Sequence, residues 1–345
     1  MVVPQRRHPR HVTLTAIAQA CGVAPSTVSR ALSNPHRVST SMYEKIARKA
    51  REMGYFSALL PEADDWRTHG TIGLVVPNLT NPFLYDLVRG SQGQAQTAGY
   101  FHLLVSTDES PSVEATWLTD LARTVDGIVV VAPRTSDDAL RSVADAVPVV
   151  VVNREVESLS SVVIDTPAGA AQAVDYLASL GHRRMAYVRG PENSWTDRVR
   201  YAALCDAAQH HEAEIVPIGA FHPSLAAGAA AADAVSLSMA TAGVFFNDTL
   251  AIGALGRFRE RGIRVPEDIS VIGCDDVFGS AFVTPPLTTV TTSGERAGRT
   301  ATEILIGHFS TKDHAPRAEH LAVHLTVRGS TGPVPSERTA AASAR

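Results

Sequence analysis

Polar side chains that directly follow short apolar runs are the residues of this chain best suited to bind a small molecule. The runs are rich in valine, which is typical of buried parallel strands, and side chains just beyond such strands meet at one edge of the sheet. Amide, carboxylate and guanidinium groups there hydrogen-bond polar rings such as sugars, and aromatic rings cover the apolar face. The predicted ligand contacts are Asn81, Phe83, Asn153, Trp195, Arg198, Phe221, Asn247 and Asp275.

Three residues in these loops have ordinary structural alternatives. Phe83 and Phe221 are also what a hydrophobic core contains. Asp248, next to Asn247, is also a typical helix cap. The sequence leaves both interpretations open for each of them.

A second set of polar residues lies in residues 12–33, which predict two short helices joined by a tight turn. Ala18 permits a close crossing, Gly22 permits the positive φ of the turn, and Val28 fills the angle between the helices. Polar side chains on an exposed second helix suit base edges and phosphates in a DNA major groove. The predicted DNA contacts are Thr15, Pro25, Ser26, Thr27, Ser29, Arg30 and Arg37.

The distribution of charge favours DNA binding over a helical hairpin that only packs. Residues 1–60 contain nine Lys and Arg against two Glu, whereas the remainder contains 22 basic and 33 acidic residues. Residues 1–60 are thus basic and the remainder of the chain is acidic. This distribution indicates that only the N-terminal segment contacts the DNA phosphates.

Composition excludes several other classes of protein. No apolar run approaches the roughly 20 residues of a membrane span, and no apolar export segment follows the basic start. Cys21, Cys205 and Cys274 are too few and too far apart for a disulfide framework or a C-x-x-C site. We therefore expect a cytoplasmic protein with reduced thiols, no membrane segment, no metal and no other cofactor.

Two series of apolar strands alternating with helices predict two α/β lobes, each with a Rossmann-like parallel sheet, behind a small all-α domain. The expected segments are a basic arm (1–10), a helix-turn-helix domain (11–56), a linker (57–70), a two-lobed domain (71–332) and a disordered tail (333–345). The first lobe is expected at about 71–164 and 293–321, and the second at about 165–290 and 322–332.

Motifs for catalysis are missing from the sequence, so we predict that the chain is not an enzyme. Residues 90–93, GSQG, are not a G-x-S-x-G elbow and fall in a predicted helix. No phosphate-binding G-x-x-x-x-G-K-[ST] loop occurs. His320 and His324 fall on one predicted terminal strand, where structural histidines are far commoner than a zinc site.

These segments together resemble the LacI/GalR family of transcriptional regulators. The head, VTLTAIAQACGVAPSTVSRALSNPHRVS at 12–39, looks like the family's helix-turn-helix signature. The stretches NPF (81–83), GHRRMAYVRGP (181–191), FND (246–248), RVPEDISVIGCDD (264–276) and PPLTTV (285–290) look like landmarks of its effector domain. The resemblance implies a periplasmic-binding-protein-like effector domain, a homodimer and ligand-controlled DNA affinity. It also matches Asn153, Arg198, Asn247 and Asp275 with the family's ligand-contact positions.

The resulting hypothesis is a sequence-specific DNA-binding repressor that reads a roughly palindromic operator and responds to a small polar ligand between its lobes. A sugar that loosens DNA binding is the first choice. A purine or nucleoside corepressor is the alternative, and a solute-binding protein without a DNA role is the remote one.

The linker departs from the family pattern. Family linkers form a hinge helix whose leucine opens the minor groove. Counted from Tyr55, its alanine position falls on Pro61 and its leucine position on Asp64. Proline breaks a helix, and phosphates repel an acid, so we expect weaker bending of the operator.

Overall fold

The computed structural model describes residues 13–33, 42, 45–46, 49–50, 69–310 and 315–335. The chain divides into two compact units, Met1–Gly70 and Thr71–Arg345. The predicted basic arm, Arg37, Pro61 and Asp64, and residues 336–345 lie outside the described residues.

The first unit begins with two helices at the predicted place, α1 (Leu14–Cys21) and α2 (Pro25–Ser33). Thr13 caps α1, because its Oγ1 accepts from Ala16 N at 3.2 Å. Gly22 ends α1 with a φ of 66°, the left-handed conformation that the turn needs. The buried core of this unit includes Ile17, Ala18, Cys21, Val28, Ala31, Ile46 and Ala50. The helix-turn-helix prediction is confirmed.

The first lobe of the second unit is a fully parallel sheet covered by helices on both faces. Its strands are β1 (Thr71–Val76), β2 (Phe101–Ser106), β3 (Gly127–Val131), β4 (Val149–Val152), β5 (Ser160–Ile164) and β11 (Ala318–Leu321), in the order β11-β5-β4-β3-β1-β2. Its helices are α3 (Phe83–Thr97), α4 (Pro111–Leu121), α5 (Asp137–Ala144) and α10 (Gly294–Ser310). Leu74 faces α3 and α10, and the next residue, Val75, faces α4 and α5.

The second lobe repeats this architecture with one reversed strand. Its strands are β6 (Arg184–Val188), β7 (Glu214–Ile218), β8 (Ala242–Phe245), β9 (Ser270–Asp275), β10 (Thr288–Thr291) and β12 (His324–Thr326), in the order β12-β10-β9-β8-β6-β7. Only β12 runs antiparallel to its neighbour in this sheet. Its helices are α6 (Thr166–Ser179), α7 (Trp195–His210), α8 (Leu225–Leu237), α9 (Asp248–Glu260) and a 3-10 turn, Phe278–Ala281. The predicted two-lobed α/β fold is confirmed.

Three crossovers join the lobes, between β5 and α6, between β10 and α10, and between β11 and β12. The last of these corrects a prediction. His320 and His324 lie on β11 and β12, in different sheets, rather than on one terminal strand, because the chain passes from one lobe to the other between them.

Residues 333–335, which fall in the predicted disordered tail, are among the described residues. Val334 N donates to Leu180 O at 2.9 Å, which ties this segment to the second lobe. None of the helices within the described ranges is long and apolar enough to cross a membrane.

Candidate functional site

The residues that follow the strands of the two lobes meet in a polar cleft. The side chain of Asn81, beyond β1, lies close enough to Asp275 at the end of β9 to lower the pKa of that carboxyl. Thr196 Oγ1, at the start of α7, donates to Asn153 O, beyond β4, at 3.2 Å. Both contacts join one lobe to the other. The carboxyl ends of the strands therefore line one cleft, the usual ligand position in open parallel sheets.

Arg200 supplies a buried positive charge to this cleft. Its side chain on α7 is almost enclosed, with the residue 5% exposed. One terminal nitrogen donates to the Phe246 carbonyl, and the guanidinium lies 5.1 Å from the centre of the Phe246 ring. Burial lowers the pKa of Arg200, but Cys274, Tyr187 and Asp275 raise it more, so the group stays charged. Its Nε has no hydrogen-bond partner.

Asn247 supplies a second unpartnered donor beside the first. It is 2% exposed, and its Oδ1 caps α9 by accepting from Leu250 N at 3.1 Å. Its Nδ2 makes no hydrogen bond, and among the described residues only this atom and Arg200 Nε are buried side-chain nitrogens or oxygens without a partner. Arg200 donates to the carbonyl of Phe246, the residue directly before Asn247. Unmet buried donors are costly, so an acceptor from a ligand would stabilise both.

Asp275 supplies the acceptor in the cleft. Burial and the nearby Asp248 together raise the pKa of its carboxyl to about 8, although Arg200 and Asn81 oppose the shift. The backbone of Asp275 has a φ of 114° and that of Asp276 a φ of 57°. Two consecutive non-glycine residues in this region are strained, and such strain persists only where surrounding contacts hold it.

The structure places the predicted Arg198 and its neighbour Arg200 in different surroundings. Arg198 is exposed on α7, whereas Arg200 lies beside Asp275. Residues two apart on a helix point about 200° away from each other, so only one of the two can enter the cleft. The buried face of α7 carries Asp197, Arg200 and Leu204, a helical spacing that the sequence already shows. That periodicity was the available signal for Arg200.

Asp197 fixes the start of the helix that carries Arg200. Its carboxylate accepts from Tyr187 Oη at 3.0 Å, from Gly190 N at 2.8 Å and from Arg189 Nη2 at 2.6 Å. Because these donors follow along β6 and the loop after it, α7 is anchored directly to the sheet.

The other predicted ligand contacts are placed in different ways. Phe83 is buried in the core of the first lobe and Phe221 packs against that of the second, which fits their structural alternatives. Asn153 uses its Oδ1 to accept from Ile164 N at 3.2 Å. Trp195 is half-buried at the first position of α7. The structure thus brings Asn81, Asn247 and Asp275 together.

The second helix of the first unit presents a polar outer face. Pro25, Ser26, Ser29 and Arg30 are exposed on α2, and Thr27 is half-buried. On the opposite face, Val28 and Ala31 are buried. Thr15 is exposed on α1. This division leaves the helix free to present polar groups outward without disturbing the small core.

A helix-turn-helix unit attached to a bilobed cleft with unmet donors defines a class, the ligand-responsive DNA-binding regulators. Residues 13–57 match the model of the bacterial regulatory proteins of the lacI family, and residues 174–331 match that of a periplasmic binding protein-like domain. The chain belongs to the lacI family of bacterial regulatory proteins and is a DNA-binding transcriptional regulator.

Named relatives cover nearly the whole chain. The transcriptional regulator DegA of Bacillus subtilis is 30% identical over 336 residues, covering 93% of this chain and 98% of DegA. The transcriptional repressor CytR of Escherichia coli K12 is 29% identical over 332 residues, covering 94% of this chain and 97% of CytR. Both relatives are named as regulators of transcription.

Two solved structures show the same fold with a sugar bound. A CelR–cellobiose complex has a TM-score of 0.69 at 28% identity, covering 92% of this chain and 99% of that one. A lacI-family regulator from Enterococcus faecium with bound ribose has a TM-score of 0.70 at 27% identity, covering 76% and 99%. Among the described residues, no group of three or more His, Cys, Asp or Glu is arranged to hold a metal ion.

Proposed function

We propose that this chain is an operator-binding repressor whose DNA affinity is controlled by a sugar held between the two lobes. The observation that carries the proposal is the pair of unpartnered buried donors, Arg200 Nε and Asn247 Nδ2, beside the acceptor Asp275. In this assignment Arg200, rather than Arg198, is the arginine that binds the ligand.

The chemistry of this trio favours a polyhydroxy ligand. A hydroxyl group both accepts and donates, so neighbouring hydroxyls satisfy two donors and one carboxyl together. The cellobiose and ribose complexes of related regulators support the same class of ligand.

The cleft also offers a means of control. Asn81 reaches Asp275 from the facing lobe, so a ligand that binds Asp275 competes with a contact between the lobes. A ligand that prefers one arrangement of the lobes shifts the population toward it. We propose that this shift changes operator affinity, with a sugar loosening the complex.

For DNA binding, we propose that the exposed face of α2 contacts the operator. Ser26 and Arg30 are assigned to base edges in the major groove, and Thr15 and Ser29 to phosphates. Two copies of the chain would read the two halves of a palindrome, and they would do so in the cytoplasm, where the DNA is. Phe101 and Leu103 are exposed on the edge strand β2 and offer an apolar, self-complementary surface for such a homodimer.

A thermal-shift panel of D-ribose, cellobiose, a nucleoside and a purine base tests the ligand class. We expect a sugar to raise the melting temperature of the wild-type chain, because a ligand of the folded state stabilises it. Arg200→Ala should abolish this rise, and Arg198→Ala, on the exposed face of the same helix, should keep it.

The same panel contains the results that would overturn the proposal. Stabilisation by the purine base alone would replace the sugar with a purine corepressor. Loss of the sugar response in Arg198→Ala but not in Arg200→Ala would contradict the assignment of the cleft.

A further inference from the structure

Asp248 lies between the two predicted ligand residues without facing the ligand itself. It is fully buried and follows Asn247 directly. Its Oδ1 accepts from Thr289 Oγ1 at 2.6 Å, on β10. Its Oδ2 accepts from Ser280 Oγ at 2.6 Å and from Val277 N at 3.0 Å, in the segment after Asp275. One carboxylate thus joins α9, β10 and the loop after β9.

These contacts decide whether Asp248 is a helix cap. Asn247, not Asp248, caps α9. The Asp248 side chain instead crosses β9 at Gly273, where an added Cβ would lie 2.1 Å from its Oδ1. Only a glycine leaves room for the carboxylate there, so the contact depends on the backbone of β9 as well.

The strained pair Asp275–Asp276 is held from two sides. On one side, the backbone N–H of Val277, the residue after the pair, donates a hydrogen bond to the Asp248 carboxylate. On the other side, the Asp276 carboxylate accepts from Arg328 at 2.7 Å and from Thr291 at 2.9 Å. Strain of this kind persists only where the surroundings over-determine the backbone. Releasing one side should let the pair relax and turn the Asp275 carboxyl away from Arg200.

We propose that Asp248 is a positioning residue, which fixes Asn247 and the strained Asp275–Asp276 backbone so that their side chains converge on the ligand. The proposal rests on the cleft assignment made above and extends it to a residue that makes no ligand contact.

The electrostatics of the pair agree with this geometry. Burial raises the pKa of Asp248 to about 6 despite its bonds to Ser280, Thr289 and Val277, and Asp276 adds to the rise. Asp248 in turn raises the pKa of Asp275. A buried carboxyl that also disfavours ionisation of its functional neighbour is poorly explained as a device for stability alone.

Two substitutions separate shape from charge. Asp248→Asn keeps the shape, because the amide oxygen still accepts from Val277 N and Ser280 while the amide nitrogen donates to the Thr289 hydroxyl. Asp248→Ala removes all the hydrogen bonds that the carboxylate accepts from Thr289, Ser280 and Val277. Ser280→Ala removes one of the two contacts to the loop and leaves the contact from Val277 N, whereas Thr289→Val removes the only contact to β10. Asp268→Ala, which breaks a pair with Arg264 elsewhere in the lobe, is the control.

Hydrogen exchange of the full-length chain without ligand measures the positioning directly. In Asp248→Ala we expect exchange at least tenfold faster over residues 274–283, with the strands β1 and β3 unchanged. Ser280→Ala should give a smaller increase over the same residues. Thr289→Val, Asp248→Asn and Asp268→Ala should match the wild type there. Wild-type exchange in Asp248→Ala, or an equal increase across the whole lobe, would overturn the proposal.

The titration midpoint of Asp275 provides a second test, because it changes only if Asp248 acts on Asp275. Carboxyl titration by carbon NMR should show the Asp275 midpoint about one pH unit lower in Asp248→Asn than in the wild type. An unchanged midpoint would contradict the proposal. D-ribose binding by calorimetry should persist in Asp248→Asn and vanish in Asp248→Ala. If ribose does not bind the wild-type chain, the sugar assignment fails, and the exchange and titration results still decide the role of Asp248.

Discussion

Several buried polar residues of the proposed ligand site lower the stability of the protein without ligand. Arg200 Nε and Asn247 Nδ2 are buried without partners, and Asp275 and Asp248 are carboxyls in surroundings that disfavour their ionised forms. Each feature lowers the stability of the empty protein. Under the proposed function, a bound ligand would remove the first two penalties.

The pKa of Asp275 predicts an unusual dependence of stability on pH. Its folded pKa of about 8 lies above the unfolded value, so between about pH 4 and pH 8 the folded state holds a proton that the unfolded state has lost. The free energy of unfolding therefore falls as pH rises through this window. Asp275→Asn removes this loss and should be more stable than the wild type at pH 8 by about 1 kcal/mol or more.

Denaturant unfolding at pH 5 and pH 8 checks this, as the difference between variant and wild type. Arg200, Asp248, Cys274 and Asn81 face the Asp275 carboxyl and are the same in both proteins. Asp268→Asn is the control of opposite sign, because Arg264 holds the pKa of Asp268 below its usual value. An equal gain in stability from Asp275→Asn at pH 5 and at pH 8 would contradict the raised pKa of Asp275.

At the residue level, the sequence predicts the burial of residues that directly follow strands better than the burial of residues within a helix. Asn247 and Asp275 come directly after β8 and β9, where position along the chain nearly determines position in the sheet. Arg200 lies deeper along α7, where a choice between two arginines depends on which face is buried. The contacts of Asp248 join four segments, and no local pattern in the sequence contains them.

At the level of elements, α2 should carry most of the sequence-specific DNA affinity. Arg30→Ala removes an exposed guanidinium from its outer face, and a lost base or phosphate contact costs about 1–3 kcal/mol. We expect operator affinity to fall roughly tenfold or more in a fluorescence anisotropy titration, with the sugar-induced thermal shift unchanged. Arg123→Ala, an equal charge change on an exposed residue of the second unit, should leave affinity unaltered. Equal losses in both variants would indicate a nonspecific charge effect.

The contact between α3 and α10 sets a second test at this level. An added Cβ at Gly298 would lie 2.0 Å from Leu87 O, so these helices touch backbone to backbone. Gly298→Ala should force them apart and destabilise the protein by about 1–3 kcal/mol. Gly93→Ala, on α3 with nothing within 4 Å of the added Cβ, should be neutral or stabilise by up to about 1 kcal/mol. Thermal unfolding of both variants measures the difference, and equal stability would contradict the close packing.

Elements with a clear signature were predictable, and those without one were not. The valine runs of β3 and β4 and the apolar face of α9 are buried where the sequence placed them. The strand β7 contains Pro217 and is only partly buried, because it lies at a sheet edge where one row of hydrogen bonds is not needed. The expected lobe bounds, 321 and 322, already separate His320 from His324, although the strand prediction placed both on one strand.

At the level of the whole molecule, the linker sequence predicts weak bending of DNA. Pro61 and Asp64 lie outside the described residues, so this stays a prediction from sequence. We expect fluorescence energy transfer between the ends of a short operator duplex to change little on binding. A large change, or a leucine wedge in the minor groove of a complex, would contradict it.

The central claim is that occupancy of the cleft controls the affinity of the DNA-binding unit. The most direct test is the operator dissociation constant of the full-length chain, measured by fluorescence anisotropy without ligand and with the cleft saturated by the sugar that stabilises it. We predict a change of about 5–150-fold in the wild type and none in Arg200→Ala. An unchanged constant in the saturated wild-type protein would contradict the account.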